Sequence, residues 1–357
     1  MSEAPSKRSP RLPIIGLAAV LGLVALGTAG KLSARPKTQS SPTVRGIVVS
    51  THTSGHEWGL DVMGPTLDDL RTVGADWVAT HPYAGIRKDG SVRYQDFDPE
   101  NPPEWLVRPI REAKARGMRV LIKPHLAYWG SGFKWRGEIE FESATQWDRF
   151  FNAYEEWIVK IARACREADG LVVATELDKT LHFEKRWRGI IESVRKETGA
   201  KLTYGANWAD YERVTFWDAL DIIGVHAYFP LTDSEERPTR KQLEAAWSRR
   251  MGMLRTFAKK HDRQIVFTEL GYNRSFDAAR QPWAYPTDGE EAEPFQAECL
   301  EVALEAVENE PVVVGSFLWK WFPRPRPVGR NFQLATPRMM DAIRSVWQPG
   351  EGADRAR

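Results

Sequence analysis

The chain has 357 residues, with 50 Lys and Arg against 48 Asp and Glu, and 42% of it is apolar. A formal charge of +2 gives no sign of a nucleic-acid or other polyanionic partner, and the length and apolar content suit one large domain or two smaller ones, each with a full core. Two cysteines are too few for a disulfide framework or a zinc site, and both Cys165 and Cys299 fall in helix-like segments, so buried thiols are expected.

At the N-terminus, Lys7, Arg8 and Arg11 precede LPIIGLAAVLGLVALGTAG, an uncharged run over 12–30. It approaches the roughly 20 residues of a membrane span and also fits a long signal peptide. The expected organisation is a basic cytoplasmic region 1–11, a signal peptide or transmembrane anchor 12–30, and a polar linker 31–44. A folded domain 45–348 and a polar tail 349–357 follow. Basic residues before the run place the domain outside the cytoplasm, secreted or held to the membrane by 12–30. A monomer is expected.

From Arg45 onward, short apolar runs recur at 46–50, 76–81, 119–124, 171–176, 202–207, 221–228, 264–269 and 312–319. Helical periodicity fills most of the intervals, as in PEWLVRPIREAKARG and QWDRFFNAYEEWIVKIARACREADG. Gly74, Gly117, Gly170 and Gly199 are expected as helix C-terminal residues, and Thr66 with Asp69 as a helix N-cap. Eight strand units alternating with helices predict a parallel sheet buried on both faces, closed into a (β/α)8 barrel. An open doubly wound sheet that bound a nucleotide would carry a Gly-rich phosphate loop, and none is present.

In such a barrel the strand C-terminal ends face the active site. Polar or aromatic side chains gather at these ends: His81, Lys123, His125, Glu176, Asn207, His226, Tyr228, Glu269 and Trp319. Two ends share one triplet, Thr175-Glu176-Leu177 and Thr268-Glu269-Leu270. Paired carboxyl groups across a barrel mouth suit glycoside hydrolysis, one as general acid and the other as nucleophile or base. A general acid must hold its proton, so the carboxyl in that role, Glu176 in the assignment below, is expected to have a pKa raised to about 6. His52, His56 and Glu57 lie close together in sequence but match no zinc motif, and no metal or other cofactor is expected.

The stretches VLIKPHLAYWGSGFKWRGEI (120–139), VVATELDKT (172–180), IVFTELGYNRS (265–275) and GSFLWKWFP (315–323) resemble glycoside hydrolase family 113, the β-mannanase-type family of clan A. The resemblance covers roughly 45–347. It implies a retaining hydrolase of a β-linked glycan, β-1,4-mannan first, with Glu176 as acid/base and Glu269 as nucleophile. β-Glucan cleavage, exo-β-glycosidase action and a catalytically weak carbohydrate-binding barrel are the alternatives. It further implies that Tyr228 orients the nucleophile, with Tyr272 as the alternative, and that Asn207, Trp208 and Trp319 meet the sugar. His81, Lys123, His125, Trp135, His226, Tyr272 and Trp321 complete the expected substrate-binding set, and Trp129 and Trp283 are candidates for further subsites. Thr175 stands where most of the clan has Asn before the acid/base.

Overall fold

The computed structural model describes residues 43–326 and 331–349. The expected segments 1–11 and 12–30, most of the linker, and 350–357 lie outside these residues. Among the described residues, no helix is long and apolar enough to cross a membrane.

Eight parallel strands close into a barrel: β1 (Val44–Val49), β2 (Trp77–Thr80), β3 (Arg119–Ile122), β4 (Gly170–Thr175), β5 (Lys201–Asn207), β6 (Ile223–His226), β7 (Ile265–Leu270) and β8 (Val313–Trp321). Each pairs with its sequence neighbours, and β1 closes the ring on β8. Every expected run is therefore a strand, and the order is that of a (β/α)8 barrel. The runs read clearly because the strands are buried on both faces, which selects near-continuous apolar sequence. Val48, Ala79, Leu121, Val172, Val266 and Phe317 form an apolar plug inside the ring. A larger core lies between the ring and its helices.

The helices are α1 (Met63–Arg71), α2 (Glu104–Ala115), α3 (Ala144–Ala164), α4 (Glu184–Glu197), α5 (Arg240–His261), α6 (Glu293–Glu308) and α7 (Pro337–Trp347). After β5 two short turns, Tyr211–Arg213 and Trp217–Ala219, replace the helix. Gly74 and Gly117 take the expected left-handed conformation after their helices, whereas Gly170 opens β4. Thr66 is not a cap. It lies within α1 and its hydroxyl donates to the Val62 carbonyl, while Asp69 pairs with Arg324 and Arg326. The N-terminus of α3 does carry a capping box, between Ser143 and Gln146. Cys165 and Cys299 are free and buried.

One layer is absent from the expectation. Short strands Tyr83–Ile86, Val92–Arg93 and His125–Ala127 form a three-stranded sheet. Its residues Tyr83, Gly85, Arg93, His125 and Ala127 line a cavity described below.

Candidate active site

Glu176 follows β4 immediately and has φ 49°, a left-handed conformation unusual for a side chain with a Cβ. Its amide donates to the Gly205 carbonyl at 2.9 Å, and the next amide, of Leu177, donates to the Tyr204 hydroxyl at 2.8 Å. Two bonds from β5 thus hold a costly backbone conformation at a carboxylate, the kind of strain that collects at functional positions. Glu269 lies near the end of β7, where the pairing register with β6 shifts. Its side chain is buried beneath the barrel mouth.

Opposed donor sets hold the two carboxylates. Lys123, fully buried, donates to Glu269 Oε1, and the Tyr228 hydroxyl donates to Glu269 Oε2 at 2.7 Å. Arg136 Nη1 donates to Glu176 Oε2 at 2.9 Å. His226 stands between the carboxylates, with Nδ1 2.9 Å from Glu176 Oε1 and Nε2 3.7 Å from Glu269 Oε1. Gly205 keeps this place open, because a Cβ there would stand 2.9 Å from His226 Nε2.

Burial on its own would raise the Glu176 carboxyl, but His226 and then Arg136 outweigh it and bring the pKa down to about 2. The expectation of a raised value is corrected: the surroundings are buried, but a guanidinium and an imidazole occupy the carboxylate. Glu269 is likewise held low, since His226 and Lys123 outweigh its burial. Burial, and then the Glu269 charge, push the Tyr228 phenol far up, so it keeps its proton and donates. His81 and His125 are depressed well below the usual range by burial and neighbouring cations, and so are neutral.

A cavity of about 490 Å³ opens onto both carboxylates. Trp135, Asn207, Trp208, Tyr228 and Trp319 line it, together with Tyr128, Arg136, Asp210, Trp283, Tyr285 and Phe332. Trp208 and Trp283 stack at 5.3 Å, giving apolar ring surface of the kind that covers a pyranose face. Trp135 lies over Gly137, where an added Cβ would come within 2.1 Å of its ring. A second cavity of about 1120 Å³ shares Tyr128, Arg136, Tyr285 and Trp319 with the first and extends past His125, Trp129 and the loop after β1.

Five expected sugar contacts line neither cavity: Tyr272, Trp321, His81, Lys123 and His226, the last fully buried between the carboxylates. Tyr272 is buried against α5, where its hydroxyl accepts from Trp247 Nε1 at 3.1 Å, so it does not reach Glu269. Trp321 is fully buried under Arg326 and lines neither cavity. His81 is fully buried, stacked on His125 and tilted against Trp319. Lys123 also lines neither cavity and acts through Glu269 and the Trp319 ring, 4.6 Å from its ammonium. Arg136, Tyr128 and Tyr285 are site residues that sequence reasoning passes over, although Arg136 falls within the KWRGEI stretch. Among the described residues, no group of three His, Cys, Asp or Glu side chains is placed to hold a metal ion. His52 stacks on Phe322 and His56 packs near Trp105, both lining the larger cavity.

Among solved structures, the chain is similar to the family 113 β-mannanase of Alicyclobacillus acidocaldarius, with a TM-score of 0.73 at 24% identity over 86% of this chain and 97% of that one. A second family 113 β-1,4-mannanase gives a TM-score of 0.75 at 21% identity, over 87% of this chain and 100% of that one. A family 5 mannosidase from Rhizomucor miehei follows at 0.57 and 13% identity, covering 87% and 93%. No curated protein sequence matches the chain. The model of Glycoside Hydrolase Family 113 matches residues 51–328, more than three quarters of the chain. Barrel, paired carboxylates and family model agree, and the chain belongs to glycoside hydrolase family 113.

Proposed function

We propose that this glycoside hydrolase cleaves β-1,4-linked mannan or manno-oligosaccharides with retention, through Glu269 as nucleophile and Glu176 as acid/base. The observation that carries the assignment is the unequal donor set of the two carboxylates. Glu269 is fixed from both sides by Lys123 and Tyr228, as suits an anion that must attack one carbon atom. Glu176 lies on the cavity wall, with a histidine on one oxygen and an arginine on the other. Membership of family 113, whose resemblance implies retention, supports the two-step route over single-step inversion. The similar structures described as β-mannanases support the sugar, and the two adjoining cavities support a groove for cleavage within a polymer.

In the first step a Glu269 oxygen bonds to the anomeric carbon while the bond to the leaving oxygen breaks. The leaving oxygen takes the proton from Glu176. Arrival of the leaving unit displaces Arg136 from Glu176 Oε2, which removes one of the charges holding the carboxyl ionised and lets it take up a proton beside His226. In the second step Glu176 removes a proton from water, the water oxygen bonds to the anomeric carbon, and Glu269 leaves as carboxylate. The basic flank and apolar run of 7–30 support action outside the cytoplasm.

Azide separates the two roles. With an activated aryl β-mannoside, Glu269→Gly should give a mannosyl azide of inverted configuration, and Glu176→Ala one of retained configuration. The reverse pattern would exchange the two assignments, and full activity in both variants would remove the pair from the chemistry. Wild-type hydrolysis of β-glucan in preference to β-mannan would overturn the sugar.

A further inference from the structure

A third carboxyl group stands on the wall of the smaller cavity, and the two-step reaction does not use it. β5 ends at Asn207, and the chain then turns tightly. Asn207 Oδ1 accepts from the Ala209 amide at 3.0 Å, and the Asn207 carbonyl accepts from the Asp210 amide at 2.9 Å. Trp208 and Asp210, on this turn, line the smaller cavity with Glu176, and neither lines the larger one. Arg213, itself exposed, pairs with Asp210.

Asp210 also faces Asp178, two residues beyond Glu176. Asp178 is 5% exposed, and no donor among the described residues reaches either of its carboxyl oxygens. A buried carboxyl that faces a second carboxyl and has no donor is stable only if the two share a proton. Burial, and then the charges of Glu176 and Asp210, put that proton on Asp178, so Asp178 donates and Asp210 accepts. A carboxylate has about four acceptor positions, more than Arg213 and Asp178 occupy, so hydroxyls in the cavity can also donate to Asp210.

In the ring of eight strands, β5 stands opposite β1. The larger cavity runs to the loop after β1, and the turn bearing Trp208 and Asp210 follows β5. A glycan that fills both cavities therefore has one arm at each side of the mouth. Glu176 follows β4, which pairs with β5, and a proton donor must reach the leaving oxygen, so the arm at β5 holds the leaving unit. We infer that Asp210 binds the sugar unit that leaves, accepting from its hydroxyls beside the stacked Trp208 and Trp283, and that Asp178 is a positioning residue that holds Asp210 there. This rests on the glycosidase reading above and assigns the leaving-unit side of the same site. The same place takes an acceptor sugar in the second step. A sugar hydroxyl gives its proton to Glu176, its oxygen bonds to the anomeric carbon, and Glu269 leaves as carboxylate.

The test uses the full-length chain and two substrates. A β-1,4-manno-oligosaccharide releases a sugar, and an activated aryl β-mannoside does not. Asp210→Asn should lower kcat/KM about tenfold more on the oligosaccharide than on the aryl mannoside. With β-1,4-mannobiose added as acceptor, the ratio of transfer to hydrolysis of the aryl mannoside should fall by a similar factor. Asp178→Ala removes the donor and should reproduce both changes, whereas Asp178→Asn keeps an N–H donor and should lose less. Circular dichroism verifies the fold of each variant. An equal loss on both substrates in Asp210→Asn, or no loss, would overturn the inference. Asp178→Asn as impaired as Asp178→Ala would overturn the positioning role. The β-1,4-gluco counterparts are run in parallel. Cleavage of these alone would overturn the mannanase reading, while the selectivity lost in Asp210→Asn on that series still decides the inference. Cleavage of neither series would overturn both.

Discussion

Removing the guanidinium from Glu176 should raise the pKa of the general acid, and Arg136→Gln is the direct way to do so. The Arg136 and Glu176 side chains are 13% and 14% exposed and meet at 2.9 Å, so solvent screens the pair only weakly. A charge-assisted hydrogen bond of this kind contributes about 1.5–3 kcal/mol. At 1.36 kcal/mol per pKa unit, its loss should move Glu176 upward by about one to two units. His226 remains on the other carboxylate oxygen, so the group stays below the position burial alone would give it. The assay is kcat/KM against pH with an aryl β-mannoside of poor leaving-group ability, which reports the free enzyme. The limb to follow is the one abolished by Glu176→Gln. Arg136→Lys keeps the charge and should move that limb less. A limb that stays in place in Arg136→Gln, or shifts equally in both variants, would refute the reasoning.

Asp178 lies two residues beyond Glu176, its carboxyl oxygens buried without a donor, and the group it faces is another carboxyl, Asp210. Burial, and then the charges of Glu176 and Asp210, push it from 3.8 up to about 8. Between those values the native state keeps a proton that the unfolded chain has released, so stability falls as pH rises from about 4 to 8. Asp178→Asn should flatten that decline and stabilise the protein at pH 8 relative to pH 5, by urea midpoint; an unchanged slope would remove Asp178 as its source. Lys123→Met leaves Glu269 buried with its lysine partner gone and should cost about 3–5 kcal/mol of stability. Adding Glu269→Gln should recover part of it, and a strictly additive double variant would mean the two are not coupled. Fractionation of cells expressing the full chain should place the domain outside the cytoplasm, and a soluble cytoplasmic protein with 12–30 intact would reject export.

The sequence by itself determined the ring of strands and the positions of the two glutamates. A strand buried on both faces must be apolar nearly throughout, so a carboxylate marks where the core stops and the barrel mouth begins. The resemblance to family 113 added Tyr228, two residues past His226 at the end of β6, as the partner of Glu269.

What the tertiary structure decided concerns contacts between distant segments and breaks in regularity. Arg136 reaches Glu176 from a turn 40 residues earlier, and no local periodicity marks such a meeting. Trp319 and Trp321 would share a face in a regular strand, since side chains alternate with period two. The β1–β8 register shifts between Ile47 and Val49, the residues paired with Leu318 and Trp321, and only Trp319 reaches the cavities while Trp321 is buried. The charge of Glu176 belongs to the same class. Its residue type and strand end suggested a protonated acid, but the ionisation of a buried carboxyl is set by the atoms within hydrogen-bond reach, and those come from a turn and a strand that only folding brings beside it.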